Sequence, residues 1–110
     1  MVYFGGVADR LEQLAALGAD GLGVETSMKG YVNDLGQIAA QIGGRVSLFG
    51  NVDPIRVLER GTALELEAEV RRQAEAGAKA RGFIASTGSP ITPGTPLPRV
   101  QRFVELSRRE

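Results

Sequence analysis

Side chains able to do chemistry gather in this sequence just after short β-prone runs. Glu25-Thr26-Ser27, Asn51-Val52-Asp53 and Ser86-Thr87-Gly88-Ser89 each follow such a run. Glu25 in that setting suits a general base or a ligand anchor; its structural alternative is an acid leading into the next helix. Asn51 and Asp53 stand at a turn, where Asp53 before Pro54 also suits a helix N-cap. Ser86, Thr87 and Ser89 beside Gly88 can offer hydroxyls and backbone N–H groups to an anion, or can simply make the turn that the neighbouring prolines require. The substrate-binding candidates are therefore Glu25, Asn51, Asp53, Ser86 and Ser89. The sequence has no cysteine and no histidine, which removes thiol nucleophiles, disulfides and the commonest metal ligands. No G-x-G-x-x-G and no Walker-type lysine loop is present, so dinucleotide and P-loop binding are disfavoured. No cofactor and no metal are expected.

These loops need elements to position them. Val2-Tyr3-Phe4 reads as a first strand closed by Gly5-Gly6. Leu11, Leu14, Ala15 and Gly18 mark a short amphipathic helix, with Asp9 and Glu12 spaced as a capping box. Gly21–Glu25 is a glycine-diluted second strand. Val32, Leu35, Ile38, Ala39 and Ile42 recur at helical spacing, giving a helix over Tyr31–Ile42 that Gly43-Gly44 ends. Arg45–Phe49 is a third strand, and Asp53-Pro54 opens a short helix that Gly61 stops. Thr62-x-x-Glu65 is a capping box for a longer helix whose buried face carries Leu66, Val70, Ala74 and Gly77. Phe83-Ile84-Ala85 is the fourth strand. Leu97, Val100, Phe103 and Val104 mark a last helix starting at about Pro96, with Thr95 placed to cap it.

The 110 residues, 43% hydrophobic and 24% charged, suit one domain over 1–110. Thirteen basic and thirteen acidic residues cancel, so no long-range field favours nucleic acid or an anionic membrane. No apolar run reaches membrane-spanning length and no signal peptide is visible, which leads us to expect a cytoplasmic chain. Strict strand–helix alternation predicts an α/β fold with parallel strands. Two arrangements satisfy it: an open doubly wound sheet, or four βα units forming half of a (β/α)₈ barrel. Either puts all the strand exits on one face.

Leu48-Phe49-Gly50-Asn51-Val52-Asp53-Pro54, followed by Gly82-Phe83-Ile84 and then Pro93-Gly94-Thr95-Pro96, resembles the C-terminal part of the uroporphyrinogen decarboxylase family. The likeness runs over essentially the whole chain and includes Leu11-Glu12-Gln13-Leu14 and Glu25. It implies the last four βα units of a (β/α)₈ barrel. It also implies cofactor-free decarboxylation of tetrapyrrole acetate side chains, or else zinc-dependent methyl transfer to or from a corrinoid, the family's other activity. Family decarboxylases commonly read G-H-G-I where this chain reads Gly88-Ser89-Pro90-Ile91, so Ser89 replaces the histidine. Family methyltransferases carry a cysteine in that loop and a histidine-x-cysteine pair at Val2-Tyr3-Phe4, and all three are absent here. The catalytic aspartate and substrate-binding arginines of the family belong to the N-terminal half, so the isolated chain is expected to be inactive or to act as a self-associating scaffold.

A half barrel leaves one sheet face without cover. The alternation predicts Tyr3 or Phe4, Val24, Leu48, and Ile84 or Phe83 on that face. At about 1.5–3 kcal/mol for each large side chain, four of them forfeit roughly 6–12 kcal/mol. The expected partners are therefore a second copy, giving a homodimer, or a complementary N-terminal half, with a tetrapyrrole or other small molecule as ligand.

Overall fold

The computed structural model describes residues 2–4, 10–27 and 33–109. Four strands form one parallel sheet: β1 (Val2–Phe4), β2 (Gly21–Val24), β3 (Ser47–Phe49) and β4 (Gly82–Ile84). Their order in the sheet is their order in the chain, with Leu22 opposite Leu48 and Leu48 opposite Phe83. A doubly wound sheet reverses direction at a switch point, and none occurs among the described strands. Right-handed crossovers that always step the same way put every helix on the same face, which is how a barrel wall is built.

That helical layer comprises α1 (Leu11–Ala15), α2 (Leu35–Ile42), α3 (Ala63–Gly77) and α4 (Leu97–Arg109). Leu22, Val24 and Leu48 point into it and are buried among Leu11, Leu14, Leu35, Ile38, Ala39 and Ile42. A second cluster of Val52, Leu58, Leu66, Val70, Phe103 and Leu106 fills the space beneath α3 and α4.

The uncovered face differs from the one expected. Val24 and Leu48 are 1% and 0% exposed, on the helix side, and Phe83 packs against α3 at Gly77. By alternation the opposite face carries Gly21, Gly23, Ser47, Phe49, Gly82 and Ile84, of which Ile84 is 50% exposed. Among the described residues two large apolar side chains, Phe49 and Ile84, lie there, and covering those two is worth about 3–6 kcal/mol. The side chains of Tyr3 and Phe4, like Gly5-Gly6, lie outside the described residues.

Helix starts follow local chemistry. Thr62 accepts the Glu65 N–H at 3.1 Å and Glu65 returns the bond to the Thr62 N–H, closing the expected capping box. Asp53 accepts from the N–H groups of Ile55 and Arg56 at 2.9 Å each and opens a six-residue turn, Pro54–Glu59. That turn is wound wide: the N–H of Leu58 reaches the Asp53 carbonyl and that of Arg60 the Ile55 carbonyl, five residues back. Arg99 braces it from α4, donating to the carbonyls of Val57 and Leu58 at 2.8 Å.

Other starts are corrected. α1 begins after Arg10, which makes no side-chain cap; Asp9 lies outside the described residues, and Glu12 is instead paired bidentately with Arg45 at 2.9 Å. α2 begins at Leu35 with Asp34 as its cap, and Tyr31 and Val32 lie outside the described residues. α4 opens at Leu97, within one residue of the expected start, with the Arg99 N–H donating to the Pro96 carbonyl at 3.0 Å; the Thr95 hydroxyl meets that of Thr92 at 2.7 Å.

The Glu12–Arg45 pair yields a pH-dependent expectation. The Arg45 hydrogen bond, helped by its charge, holds the Glu12 carboxyl below the ordinary glutamate range. A depressed folded-state pKa stabilises the fold above the unfolded value and ceases to do so as pH falls through the folded one. Carboxyl NMR should show Glu12 titrating at lower pH in the parent than in Arg45→Gln. Coincident titration curves would refute the pairing in solution.

Candidate functional site

Because all four strands are parallel, the candidates after β2, β3 and β4 emerge at one end of the sheet. A cleft of about 340 Å³ there is lined by Glu25, Thr26, Ser27, Asp53, Pro54, Ile55, Arg56 and Ser89. A neighbouring cavity of about 230 Å³ shares Thr26, Ser27, Asp53 and Arg56, and adds Asn33, Asn51, Glu69, Arg72 and Gln73. Glu25, Asp53 and Ser89 thus meet around one cleft, and Asn51 joins Asp53 at the next. Ser86 lines neither. Its hydroxyl donates to the Thr87 carbonyl at 3.0 Å, and the residue borders the apolar space under α3 and α4, beside Phe83, Phe103 and Ser107.

The floor between the cleft and the helices is a buried polar network centred on Asn51, which is 6% exposed. Its side-chain amide donates to the carbonyls of Asn33 at 2.8 Å and Glu25 at 3.2 Å. Its oxygen accepts from Gln73 Nε2 at 3.1 Å, while its backbone N–H donates to Gln73 Oε1 at 2.9 Å. Asn33 in turn donates its amide to the Glu25 carbonyl at 2.9 Å and its N–H to Ser27 Oγ at 2.8 Å. Among the described residues no buried side-chain nitrogen or oxygen lacks a partner, so this network is satisfied without a ligand. Asn51 fixes the β2 and β3 exits relative to each other.

The β4 exit is tied in by backbone. The Val52 N–H donates to the Ser86 carbonyl at 3.1 Å, and the Gly88 N–H to the Val52 carbonyl at 2.9 Å. Gly88 then passes so close to Thr26 that a Cβ would stand 2.3 Å from the Thr26 nitrogen. The 86–89 loop therefore crosses the β3 exit and rests on the β2 exit, which brings Ser89 to the cleft.

Sequence reasoning passed over Gln73, Asn33 and Arg56. Gln73 had a signal: three residues beyond Val70 and four before Gly77, it occupies the buried stripe of α3, where a polar side chain needs a partner. Arg56 gave none beyond being a cation next to the Asp53-Pro54 turn. Among the described residues no three acidic side chains gather as a metal-binding group.

A singly wound parallel sheet with polar loops at its strand ends has the layout of a barrel enzyme's working face. The chain belongs to the uroporphyrinogen decarboxylase family, whose model matches residues 1–110. It is 36% identical over 83 residues to uroporphyrinogen decarboxylase of Pseudomonas paraeruginosa, an alignment covering 76% of this chain and 21% of that protein. It is 34% identical over 107 residues to the enzyme of an Arthrobacter species, covering 96% of this chain and 29% of the relative. A methyltransferase structure from Methanosarcina mazei superposes with a TM-score of 0.73 at 28% identity, over 97% of this chain and 30% of that one. The chain thus spans about a fifth to three tenths of the length of these proteins. No helix among the described residues is long and apolar enough to cross a membrane.

Proposed function

We propose that this chain is the C-terminal half-barrel of a uroporphyrinogen decarboxylase-like lyase. In this reading it supplies one wall of a pocket for a carboxylated tetrapyrrole, and a second half closes the ring. The observation that carries the reading is the sheet itself: among the described residues the strands stand in chain order with β1 and β4 outermost and the helices in one layer, in a chain whose residues 1–110 the family model matches. Free strand edges are templates for association, and a two-fold pairing would close eight strands. The second half is another copy or a complementary N-terminal half.

Decarboxylation leaves a carbanion equivalent that must be protonated, so the pocket needs an acid and fixed charge near the leaving carboxylate. Glu25, Asp53 and Arg56 are the charged groups lining the cleft; Ser89 stands where the resemblance places a histidine. We expect the chain alone to show no turnover of uroporphyrinogen. Turnover abolished by Asp53→Asn would reverse that expectation. Light scattering at micromolar concentration should give twice the chain mass for the homodimer; a cooperatively folded monomer that also ignores an added N-terminal half would sink the half-barrel reading.

The methyltransferase neighbour favours a second reading, in which the same half-barrel serves methyl transfer. With neither cysteine nor histidine in the sequence, this chain does not fit the metal-ligand set that the family resemblance implies for that chemistry.

A further inference from the structure

Arg56 is exposed and borders both the cleft and the neighbouring cavity. Among the described residues its guanidinium takes part in no ion pair or hydrogen bond, whereas Arg45, Arg71, Arg72, Arg99 and Arg102 are all engaged. Its backbone N–H, like that of Ile55, is occupied by the Asp53 carboxylate. Those two bonds also offset the Asp53 charge locally. The guanidinium is therefore the donor left over, beside the hydroxyl-bearing Thr26, Ser27 and Ser89 and the exposed apolar side chain of Ile55.

A guanidinium matches a carboxylate as two parallel N–H···O bonds. A dianion such as phosphate fits less well, because it meets the carboxylates of Glu25 and Asp53 with twice the charge of a monoanion. At about 340 Å³ the cleft lies near the lower end of small-molecule sites, enough for one ring and its side chain rather than four rings. We propose that the cleft takes a single carboxylate-bearing arm of the ligand, with Arg56 binding the carboxylate and the exposed Ile55 packing on the adjoining ring. That the arm belongs to a tetrapyrrole rests on the function proposed above; the carboxylate site does not.

Amide NMR titrations of the full chain with uroporphyrin, and separately with phenylacetate, distinguish the two. Both should shift the Ser27, Ile55, Arg56 and Ser89 signals. Arg56→Gln should weaken both about tenfold or more, Arg56→Lys less so, and Arg108→Gln, at the far end of α4, not at all. Arg56 is exposed, so the variants should keep the parent's spectrum away from the cleft, and that spectrum serves as the folding check. Phenylacetate binding without uroporphyrin binding supports the cleft and removes the tetrapyrrole. Uroporphyrin binding equally tight in Arg56→Gln overturns the assignment to Arg56 and leaves the tetrapyrrole reading standing. No shift at these amides with either probe overturns the site.

Discussion

Asn51→Ala should lower the unfolding free energy by about 3–5 kcal/mol, measured by urea titration, because it removes three side-chain hydrogen bonds from a buried network at once. Gln73, 3% exposed, loses the partner of its amide nitrogen, and the Asn33 carbonyl loses the Asn51 donor. Each buried polar atom left without a partner costs about 1–3 kcal/mol, against a total stability of roughly 5–15 kcal/mol for a domain. Asn51→Asp keeps the shape and should be no milder, since it aims a carboxylate oxygen at the carbonyls of Asn33 and Glu25. Removing both partners tests the coupling: Asn51→Leu with Gln73→Leu should cost less than the two single changes added together. A loss under about 1 kcal/mol for Asn51→Ala would mean that water replaces the network freely.

Gly88→Ala should be the most damaging single-methyl change at the strand exits, at about 1–3 kcal/mol, with displacement of Ser89 from the cleft. The added Cβ would stand 2.3 Å from both the nitrogen and Oγ1 of Thr26. Backbone is met there rather than the end of a flexible side chain. The loop cannot retreat without breaking the 2.9 Å bond from Gly88 to the Val52 carbonyl. Gly44→Ala is the matched control, because a Cβ at Gly44 meets nothing within 4 Å. Thermal midpoints that fall equally for the two variants would refute the close crossing of the loop over Thr26.

The strands, their parallel sense and two of the helix caps were legible because the signals were local. Asp53-Pro54 and Thr62-x-x-Glu65 work within one turn of chain, and the structure shows both. The face of each strand was not legible. β3 and β4 are three residues long, too short for alternation to declare which parity meets the helices, and one residue of shift exchanges the faces. Leu48 was therefore expected on the open face and lies instead at 0% exposure under α2 and α3. The wide turn of Pro54–Glu59 was illegible for a different reason. It is held from outside, by Arg99 of α4, forty-odd residues along the chain. In the site, Glu25, Asp53 and Ser89 could be read from their positions after strands, whereas Ser86 could not be told from Ser89. Only the path of the loop over the β3 exit separates them.

That path has an evolutionary corollary. The bonds described here that align the β2, β3 and β4 exits begin and end inside this one segment, from Asn33 and Gln73 at Asn51 to Gly88 at Val52. The three exits are thus braced against one another by bonds within residues 25–88. If a second half completes the barrel as proposed, recombination could exchange that half while these bonds keep the three exits, and the cleft around Arg56, in register.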